Sequence, residues 1–235
     1  MAVSFGDGFI GWGKRKIPAS VRKFSEMLPV LMSPGAEPQP EPDTPTYYMY
    51  REVERLGNIR YDITRIPSLP ICGEFNKTFG HVHPKNAKGT GWAEAYEVLG
   101  GTAHFILQKV GQMGVSDAVL LSARAGESFL VPPGYGHVTI NPGKKELVMG
   151  NLVSDSFKAD YSMFAQMKGA CFYETLAGRL VKNRNYGDGF EIRKVGAAEF
   201  SSSFGVYAPF ESCDLLTASK KKGSLDFLEK PELFY

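Results

Sequence analysis

Short stretches of alternating apolar and polar residues recur over residues 47–154, and this period predicts strands rather than helices. Turn signals separate the stretches, as at Gly100-Gly101 and Asn141-Pro142-Gly143. The predicted strands are 47–53, 59–66, 76–83, 94–99, 103–109, 118–122, 128–131, 137–141 and 146–153. Short strands at this spacing indicate a sandwich or a closed barrel, so we expect an all-β fold.

The residues on either side of this region follow a looser pattern. Residues 19–28 predict a short helix after Pro18, and 162–168 predict a second one. Between them, 37–46 form a strap rich in proline and acidic residues, which alternate prolines keep extended. The chain therefore divides into an N-terminal extension over 1–46, a barrel over 47–161 and an irregular C-terminal extension over 162–235 that packs on the barrel.

Composition and charge narrow the class of protein only a little. The 235 residues are 43% hydrophobic, enough for a sizeable core, and the net charge of +2 gives no reason to expect nucleic acid or an anionic membrane as partner. No apolar run approaches the roughly 20 residues that span a bilayer, and the amino terminus lacks the order of a secretory signal. Cys72, Cys171 and Cys213 form no CxxC pair, so we expect a cytoplasmic protein without disulfides.

Residue types that bind metals are concentrated in two short segments. His81 and His83 lie two apart in a predicted strand, which puts both side chains on one face, and His137 opens a later strand. Imidazoles together with a carboxylate suit a divalent first-row metal. Glu94 and Glu97 compete for the carboxylate position, and because their spacing is odd they face opposite sides of one strand.

Both segments fit known motifs. The second has G-x5-P-x-G-x2-H-x3-N at Gly126, Pro132, Gly134, His137 and Asn141, and the first has H-x-H followed by E-x6-G at Glu94 and Gly101. These motifs resemble the cupin superfamily, which implies a jelly-roll type β-barrel. The resemblance implies one metal ion held by His81, His83, Glu94 and His137. The fourth histidine, His104, falls outside the motifs and is expected to be structural.

One spacing departs from the common cupin pattern. Ten residues, 84–93, separate the second histidine from Glu94, where three or four are common. We expect this spacer to project from the barrel as a loop and to fold back before Glu94.

Further stretches resemble one branch of the superfamily. They are Lys77-Thr78-Phe79-Gly80 before the first ligand, Glu94-Ala95-Tyr96, the segment 20–27 and the segment 131–141. Together they resemble the cupin-type phosphoglucose isomerases, over about Pro18 to Tyr161. This resemblance implies a metal-dependent homodimer that interconverts glucose 6-phosphate and fructose 6-phosphate, a reaction of glycolysis and gluconeogenesis.

The resemblance also implies roles for individual residues. Thr78 and Gly80 are expected to hold the substrate phosphate, since hydroxyl and backbone N–H donors suit phosphate oxygens. Thr64 resembles a second phosphate-binding threonine, Tyr48 an active-site tyrosine, and Tyr161 is the nearest candidate for contact with the sugar. The expected catalytic residues are Glu94 as base, Tyr96 as hydrogen-bond partner or proton shuttle, and His81. Val153 and Ala159 stand where the compact members have a tyrosine and a histidine.

Two other functions fit parts of the pattern. Another metal-dependent cupin enzyme, such as a dioxygenase, would use the same four ligands with iron, and a sugar-phosphate-binding cupin would bind without turnover. The isomerase fits best because Thr78 and Gly80 lie beside the first ligand. Iron or manganese is the expected metal, with nickel, cobalt or zinc as alternatives, because imidazole and carboxylate accept all of them.

Overall fold

Four short strands precede the region in which the sequence predicts strands. In the computed structural model, which describes residues 3–6, 8–112, 114–203 and 214–235, they are β1 (Val3–Gly6), β2 (Phe9–Trp12), β3 (Arg15–Pro18) and β4 (Ser20–Lys23). The first three form a small antiparallel sheet. After β4 comes a single helical turn, α1 (Phe24–Met27). The helix predicted over 19–28 is therefore confirmed only in its second half, because β4 is paired with a neighbouring strand.

Eight strands form the middle of the chain. They are β5 (Pro45–Leu56), β6 (Ile59–Ile66), β7 (Glu94–Gly100), β8 (Thr102–Gly111), β9 (Gly114–Arg124), β10 (Ser128–Val131), β11 (Tyr135–Ile140) and β12 (Leu147–Ser154). Eight of the nine predicted strands are confirmed. The ninth, 76–83, is wrong as a continuous strand and makes only isolated bridges, among them Lys77 to Ile140 and His81 to His137.

The remaining elements come from the C-terminal part. After α2 (Ser162–Gln166), which confirms the predicted helix, the elements are β13 (Phe172–Glu174), β14 (Leu180–Lys182), β15 (Ile192–Gly196), α3 (Ala197–Ser202), α4 (Leu215–Ala218) and α5 (Asp226–Glu229). Single 3₁₀ turns lie at Leu28–Val30, Arg184–Tyr186 and Pro231–Leu233. No helix in the part of the chain that the structure describes is long and apolar enough to cross a membrane.

Two main sheets pack face to face. One has the order β10-β7-β12-β6-β5-β4, and the other has the order β11-β8-β9-β15 with β15 parallel to β9. Aromatic rings fill the space between the sheets: Tyr96 stacks on Phe129 at 5.5 Å, and Phe105 meets Phe129 edge-on at 4.5 Å. The all-β cupin jelly-roll is confirmed. Among the described residues, however, the strands form two open sheets and do not close into one continuous barrel.

The outer face of the six-stranded sheet carries a second apolar cluster. Tyr50, Tyr61 and Leu152 from the sheet are buried there together with Leu215 and Leu228 from the C-terminal helices. The C-terminal segment thus covers the sheet on the side away from the inter-sheet core. β4 lies in the predicted N-terminal extension and β15 in the predicted C-terminal extension, yet each strand joins one of the two main sheets. The domain limits at residues 46 and 161 therefore stay a prediction.

One turn of the chain matches the sequence prediction. The turn predicted at Gly100-Gly101 joins β7 to β8, and Gly101 has a φ of +89°, where a Cβ would lie 2.9 Å from the carbonyl oxygen of Glu146. Only glycine fits such a position without strain. Cys72 and Cys171 are buried free thiols, while Cys213 lies outside the described residues.

Candidate metal centre

Three histidines and one glutamate meet between the two sheets. One ligand atom from each of His81, His83, Glu94 and His137 lies within 4.8 Å of all the others. The Nε2 atoms of His81 and His83 are 3.2 Å apart, and Glu94 Oε2 lies 3.2 Å from Nε2 of His83. These are the four residues that the resemblance to cupins implied as ligands, and the fold brings all of them to one point.

Two backbone features place the histidines. His81 and His137 exchange both backbone hydrogen bonds, at 3.2 and 3.0 Å, so their side chains lie side by side on one face. His83 follows two residues later and shares this face. Gly80 has a φ of +88°, and a Cβ there would come within 2.4 Å of Val138. The close approach of this segment to β11 therefore requires glycine.

Contacts behind the ligands fix their orientation. His83 Nδ1 donates to the carbonyl oxygen of Trp92 at 3.0 Å, which places its proton on Nδ1 and leaves Nε2 free to bind a metal. Asn151 Nδ2 donates to Glu94 Oε1 at 2.7 Å. Outer partners of a metal site act in this way: each binds one polar atom of a ligand side chain and leaves the other polar atom free for the metal.

The charge distribution suits a cation at the centre. Burial lowers the pKa of His81 well below its ordinary value, and the neighbouring His137 and His83 act in the same direction, so His81 is neutral. Burial works to raise the pKa of Glu94, but His137 and His83 outweigh it and hold that pKa well below the usual range. A neutral His81 beside an ionised Glu94 matches the protonation states that metal binding requires.

One buried oxygen has no hydrogen-bond partner. Glu94 Oε2 is buried and lacks such a partner among the described residues, although Nε2 of His137 lies 3.3 Å away and Nε2 of His81 lies 3.9 Å away. Burying a carboxylate oxygen without a hydrogen bond lowers the stability of the folded protein. A cation among the four ligand atoms would remove that cost, so the residues present fit a divalent metal ion.

Tyr96 lies beside the centre, on the same face of β7 as Glu94. Its hydroxyl is 3.1 Å from Nε2 of His137. Burial raises the pKa of Tyr96 well above its usual value, and the charge of Glu94 raises it further, so the phenol keeps its proton. Tyr96 can therefore donate a hydrogen bond to a bound oxygen.

A pocket lined with hydroxyl groups adjoins the cluster on one side. It contains four of the five residues predicted to bind substrate, Thr64, Thr78, Gly80 and Tyr161, together with Tyr47, Met49, His81, Tyr96, His137, Thr139 and Met149. Thr78 accepts a hydrogen bond on Oγ1 from the backbone N–H of Thr139 at 3.0 Å, which orients its hydroxyl. Arg22 lies close by, over the rings of Phe79 and Tyr161 at 5.5 and 5.9 Å.

Tyr48 does not reach this pocket. It lies on the other face of β5, with the guanidinium of Arg65 over its ring at 5.4 Å. Successive residues of a strand point to opposite faces, and Tyr47 is the tyrosine that lines the pocket. Strand alternation shows which residues share a face, but not which face of the strand lines the pocket. Because β5 has adjacent tyrosines on opposite faces, the sequence alone does not choose between Tyr47 and Tyr48.

A second pocket lies on the other side of the cluster. It is lined by Met49, Arg51, Arg60, Asp62, Thr64, His81, His83, Glu94, Tyr96, Asn151, Val153, Phe157, Ala159 and Tyr161. Arg60 pairs with Asp62 at 2.8 Å. The sequence analysis missed Arg51, Arg60 and Asn151, because only the pairing of β5, β6, β7 and β12 brings them to the pocket that the metal ligands line.

Three charged or titratable residues in or near the motif segments lie away from the metal centre. Glu97 faces the outer side of the sheet and accepts hydrogen bonds from Tyr61 and from the backbone N–H of Leu215. His104 contacts Glu174 at 2.9 Å. Lys77 points away from Thr78 and pairs with the buried Glu74.

The family model and the two relatives that match this sequence carry the same name. A family model described as glucose-6-phosphate isomerase matches residues 21–191. A glucose-6-phosphate isomerase of Thermococcus litoralis is 28% identical over 151 residues, covering 63% of this chain and 75% of the relative. One of Pyrococcus furiosus is 27% identical over 168 residues, covering 70% and 82%.

Solved cupin structures are more distant. A cupin-2 domain protein from Shewanella frigidimarina covers 44% of this chain and 78% of its own, with a TM-score of 0.31 and 14% identity. An oxalate oxidase covers 57% of this chain and 61% of its own, with a TM-score of 0.37 and 17% identity.

Proposed function

Because the chain belongs to the glucose-6-phosphate isomerase family, we propose that it interconverts glucose 6-phosphate and fructose 6-phosphate with one divalent metal ion. The ligands are His81, His83, Glu94 and His137. The observation that carries the metal assignment is Glu94 Oε2, a buried oxygen without a hydrogen-bond partner that faces three imidazole nitrogens. A sugar-binding protein without catalysis would not need this arrangement.

The hydroxyl-lined pocket is the proposed seat of the substrate phosphate. Thr64, Thr78 and the backbone N–H of Gly80 supply donors to phosphate oxygens. Arg22 adds a positive charge close to the same pocket, since its guanidinium lies over Tyr161. Charge-assisted contacts of this kind are stronger than neutral ones and favour an anionic group.

Tyr161 borders both pockets, which gives it contact with a sugar that spans the metal cluster. A phosphate held at the hydroxyl-lined pocket places the C1 and C2 end of an open-chain sugar near Glu94 and Tyr96. Arg51, Arg60 and Asn151 then line the space beyond the reacting carbons. These polar groups are the proposed partners of the sugar hydroxyls at that end, where Val153 and Ala159 offer only apolar contact.

The reaction moves hydrogen between C1 and C2 of the sugar. When bound, the metal ion polarises the carbonyl and stabilises negative charge on its oxygen. Glu94 is the proposed base in an enediol route: with glucose 6-phosphate it takes the proton from C2 and returns it to C1, while the hydroxyl proton on O2 passes to O1. The lowered pKa of Glu94 keeps the carboxylate ionised, as a base must be before the step, but also reduces its basicity. Tyr96 and His81 border the same space, and the Tyr96 hydroxyl donates to a sugar oxygen as charge develops there.

The decisive experiment is turnover of fructose 6-phosphate to glucose 6-phosphate by purified protein, before and after chelation and metal add-back. We expect the chelator to abolish turnover and iron or manganese to restore it, with nickel, cobalt and zinc tested alongside. Absence of turnover with every metal, in protein shown to be folded, would overturn the proposal. Oxygen uptake with a catechol or thiol would then point to a dioxygenase, and sugar-phosphate binding without turnover to a binding protein.

Other properties, which follow from the resemblance or from composition and charge, stay predictions. A homodimer, a cytoplasmic location, a role in glycolysis and gluconeogenesis, and the absence of nucleic-acid or membrane partners belong to this group. The mass of the protein in solution tests the first of these. The add-back series tests the metal.

A further inference from the structure

The spacer of ten residues between His83 and Glu94 has internal order. Its two sides meet at a bridge between Lys85 and Gly91. Asn86 closes the tip, because its backbone N–H bonds to the carbonyl of Thr90 at 2.8 Å and its side-chain Oδ1 accepts the N–H groups of Lys88 and Thr90. Residues 84–93 therefore form a hairpin-like loop, which we call the spacer loop.

The base of the spacer loop touches a metal ligand. The carbonyl oxygen of Trp92 accepts the hydrogen bond from His83 Nδ1 at 3.0 Å. The Trp92 ring stacks on Phe157 at 5.5 Å with an interplanar angle of 17°, and Phe157 lies 4.5 Å from the His83 ring. The orientation of the His83 imidazole thus depends on where the spacer loop places Trp92.

The tip of the spacer loop is held by the C-terminal segment. Glu232 accepts hydrogen bonds from Asn86 Nδ2 at 2.9 Å and from Lys88 Nζ at 2.7 Å. The Glu232 side chain is only 16% exposed. It lies in the turn directly after α5, whose Phe227 and Leu228 are buried against the six-stranded sheet. One end of this contact is therefore anchored to the body of the fold.

We propose that Glu232 is a positioning residue for the metal centre. By fixing the tip of the spacer loop, Glu232 keeps the Trp92 carbonyl against His83 and so keeps Nε2 of His83 directed at the metal. The inference rests on the proposed function, because it takes His83 as a metal ligand. It gives a common purpose to two features that sequence motifs left unexplained, the long spacer and the C-terminal extension.

The proposal predicts a loss of metal affinity rather than a loss of chemistry. Removing a direct partner of a metal ligand typically weakens metal binding 10- to 100-fold. Glu232 acts one step further away, partly through the exposed Lys88, so Glu232→Ala should weaken binding about three- to tenfold. At saturating metal, kcat should stay within about twofold of the wild-type value. Lys88→Ala removes the ion pair with Glu232 from the loop side, at an exposed position, and leaves the hydrogen bond from Asn86, so its effect should be the smaller of the two.

The test measures Mn²⁺ affinity by competition with a chelator, together with hydrogen exchange of the peptide that covers 84–93. Glu229→Ala is the matched control, because Glu229 is an exposed carboxylate of α5 with no ion-pair partner among the described residues. Weaker Mn²⁺ binding and faster exchange in Glu232→Ala and Lys88→Ala, with neither change in Glu229→Ala, would support the proposal. A double variant no weaker than the single ones would show that both act through one contact.

Two results would overturn the proposal. Unchanged Mn²⁺ affinity in both variants would do so even if exchange of the spacer loop increased, since the loop would then be held without consequence for His83. A lower melting temperature with unchanged affinity would show that Glu232 only stabilises the fold. If the wild-type protein itself bound no divalent ion, the proposed metal site would fail and this proposal with it, a result distinct from failure of the variants alone.

Discussion

Glu94 and Glu97 lie three residues apart on β7 and serve opposite faces of the same sheet. Glu94 directs Oε2 at Nε2 of His83 and His137, 3.2 and 3.3 Å away. Glu97 accepts hydrogen bonds from the Tyr61 hydroxyl at 2.6 Å and from the backbone N–H of Leu215 at 3.0 Å. One strand therefore holds the metal centre on its inner side and the C-terminal helix α4 on its outer side.

The first prediction separates these two carboxylates by isosteric substitution. Glu94→Gln removes the charge that balances the metal, so Mn²⁺ affinity should fall more than about 100-fold, beyond the range seen for outer partners of a ligand. Glu97→Gln keeps all four ligands and should leave affinity within about threefold. Isothermal titration with both variants checks this, and equal losses would contradict the assignment of Glu94.

The pH dependence of stability should report on Glu97. Burial raises its pKa above the ordinary 4.5, against the lowering effect of the Tyr61 hydrogen bond. The folded protein therefore binds this proton more tightly than the unfolded chain, and the stabilisation is complete below the unfolded pKa and lost as the pH rises through the folded pKa. Compared with Glu97→Gln, the wild type should gain unfolding free energy as the pH falls from 7 towards 4.5.

Asp117 provides a control of opposite sign. Burial works to raise its pKa, but the hydrogen bonds from Arg193 and Tyr135 outweigh it and lower that pKa. The stabilisation that the Asp117 carboxylate gives the folded protein is present above the pKa of Asp117 in the unfolded chain, and it is lost as the pH falls through its pKa in the folded protein. Compared with Asp117→Asn, the wild type should lose stability on acidification. Urea unfolding at pH 7, 5 and 3 measures both differences, since the Glu97 change begins above pH 4.5 and the Asp117 change falls below pH 5. The same trend in both pairs would contradict the assigned shifts.

The four metal ligands could be predicted from sequence because each stands at a fixed position of the two motifs that resemble those of cupins. His81 and His83 share a face by strand alternation, and alternation also separates Glu94 from Glu97. Asn151 could not be found in this way. It faces Tyr96 across the β7–β12 pair, and the register of that pair is set by packing of segments more than 50 residues apart along the chain.

The strands of the N-terminal sheet and the contacts of the C-terminal segment could not be predicted from the sequence either. Each strand of the first small sheet is only four residues long, too short for a period to stand out. The contact between Glu232 and Lys88 joins residues 144 apart and leaves no local pattern. Long-range pairing of this kind is decided by the tertiary fold.

Asn151 should control the metal through Glu94. Its amide donates to Glu94 Oε1 at 2.7 Å, and Asn151→Leu would keep the approximate volume while removing the donor. We expect metal affinity to fall about 10- to 100-fold, as for other outer partners of a ligand. Asn151→Asp would place a second carboxylate beside Glu94, and the two charges would repel each other. At neutral pH its metal affinity should be no higher than that of Asn151→Leu. Chelator competition measures both, and unchanged affinity in Asn151→Leu would refute the role.

The enediol route predicts exchange with solvent. If Glu94 takes the proton from C2 of glucose 6-phosphate, deuterium at that position should be partly lost to water before it reaches C1 of fructose 6-phosphate. Mass spectrometry of the product during early turnover measures this loss. Complete retention would count against Glu94 as base and favour direct hydride transfer, while leaving the metal ligands unaffected.

Tyr47 and Tyr48 test which face of β5 binds the substrate. Tyr47 lines the hydroxyl pocket, and its hydroxyl accepts a hydrogen bond from the backbone N–H of Phe79 at 3.4 Å, beside the proposed phosphate ligands Thr78 and Gly80. Tyr47→Phe should therefore raise KM for fructose 6-phosphate about three- to tenfold, with a smaller effect on kcat, because one neutral hydrogen bond is worth about 0.5–1.5 kcal/mol. Tyr48→Phe should leave KM within about twofold, since Tyr48 packs against Arg65 on the opposite face. Steady-state kinetics at saturating metal distinguish the two variants. A larger effect from Tyr48→Phe would mean that the outer face of β5 reaches the substrate, and the placement of the phosphate beside Thr78 would have to be abandoned.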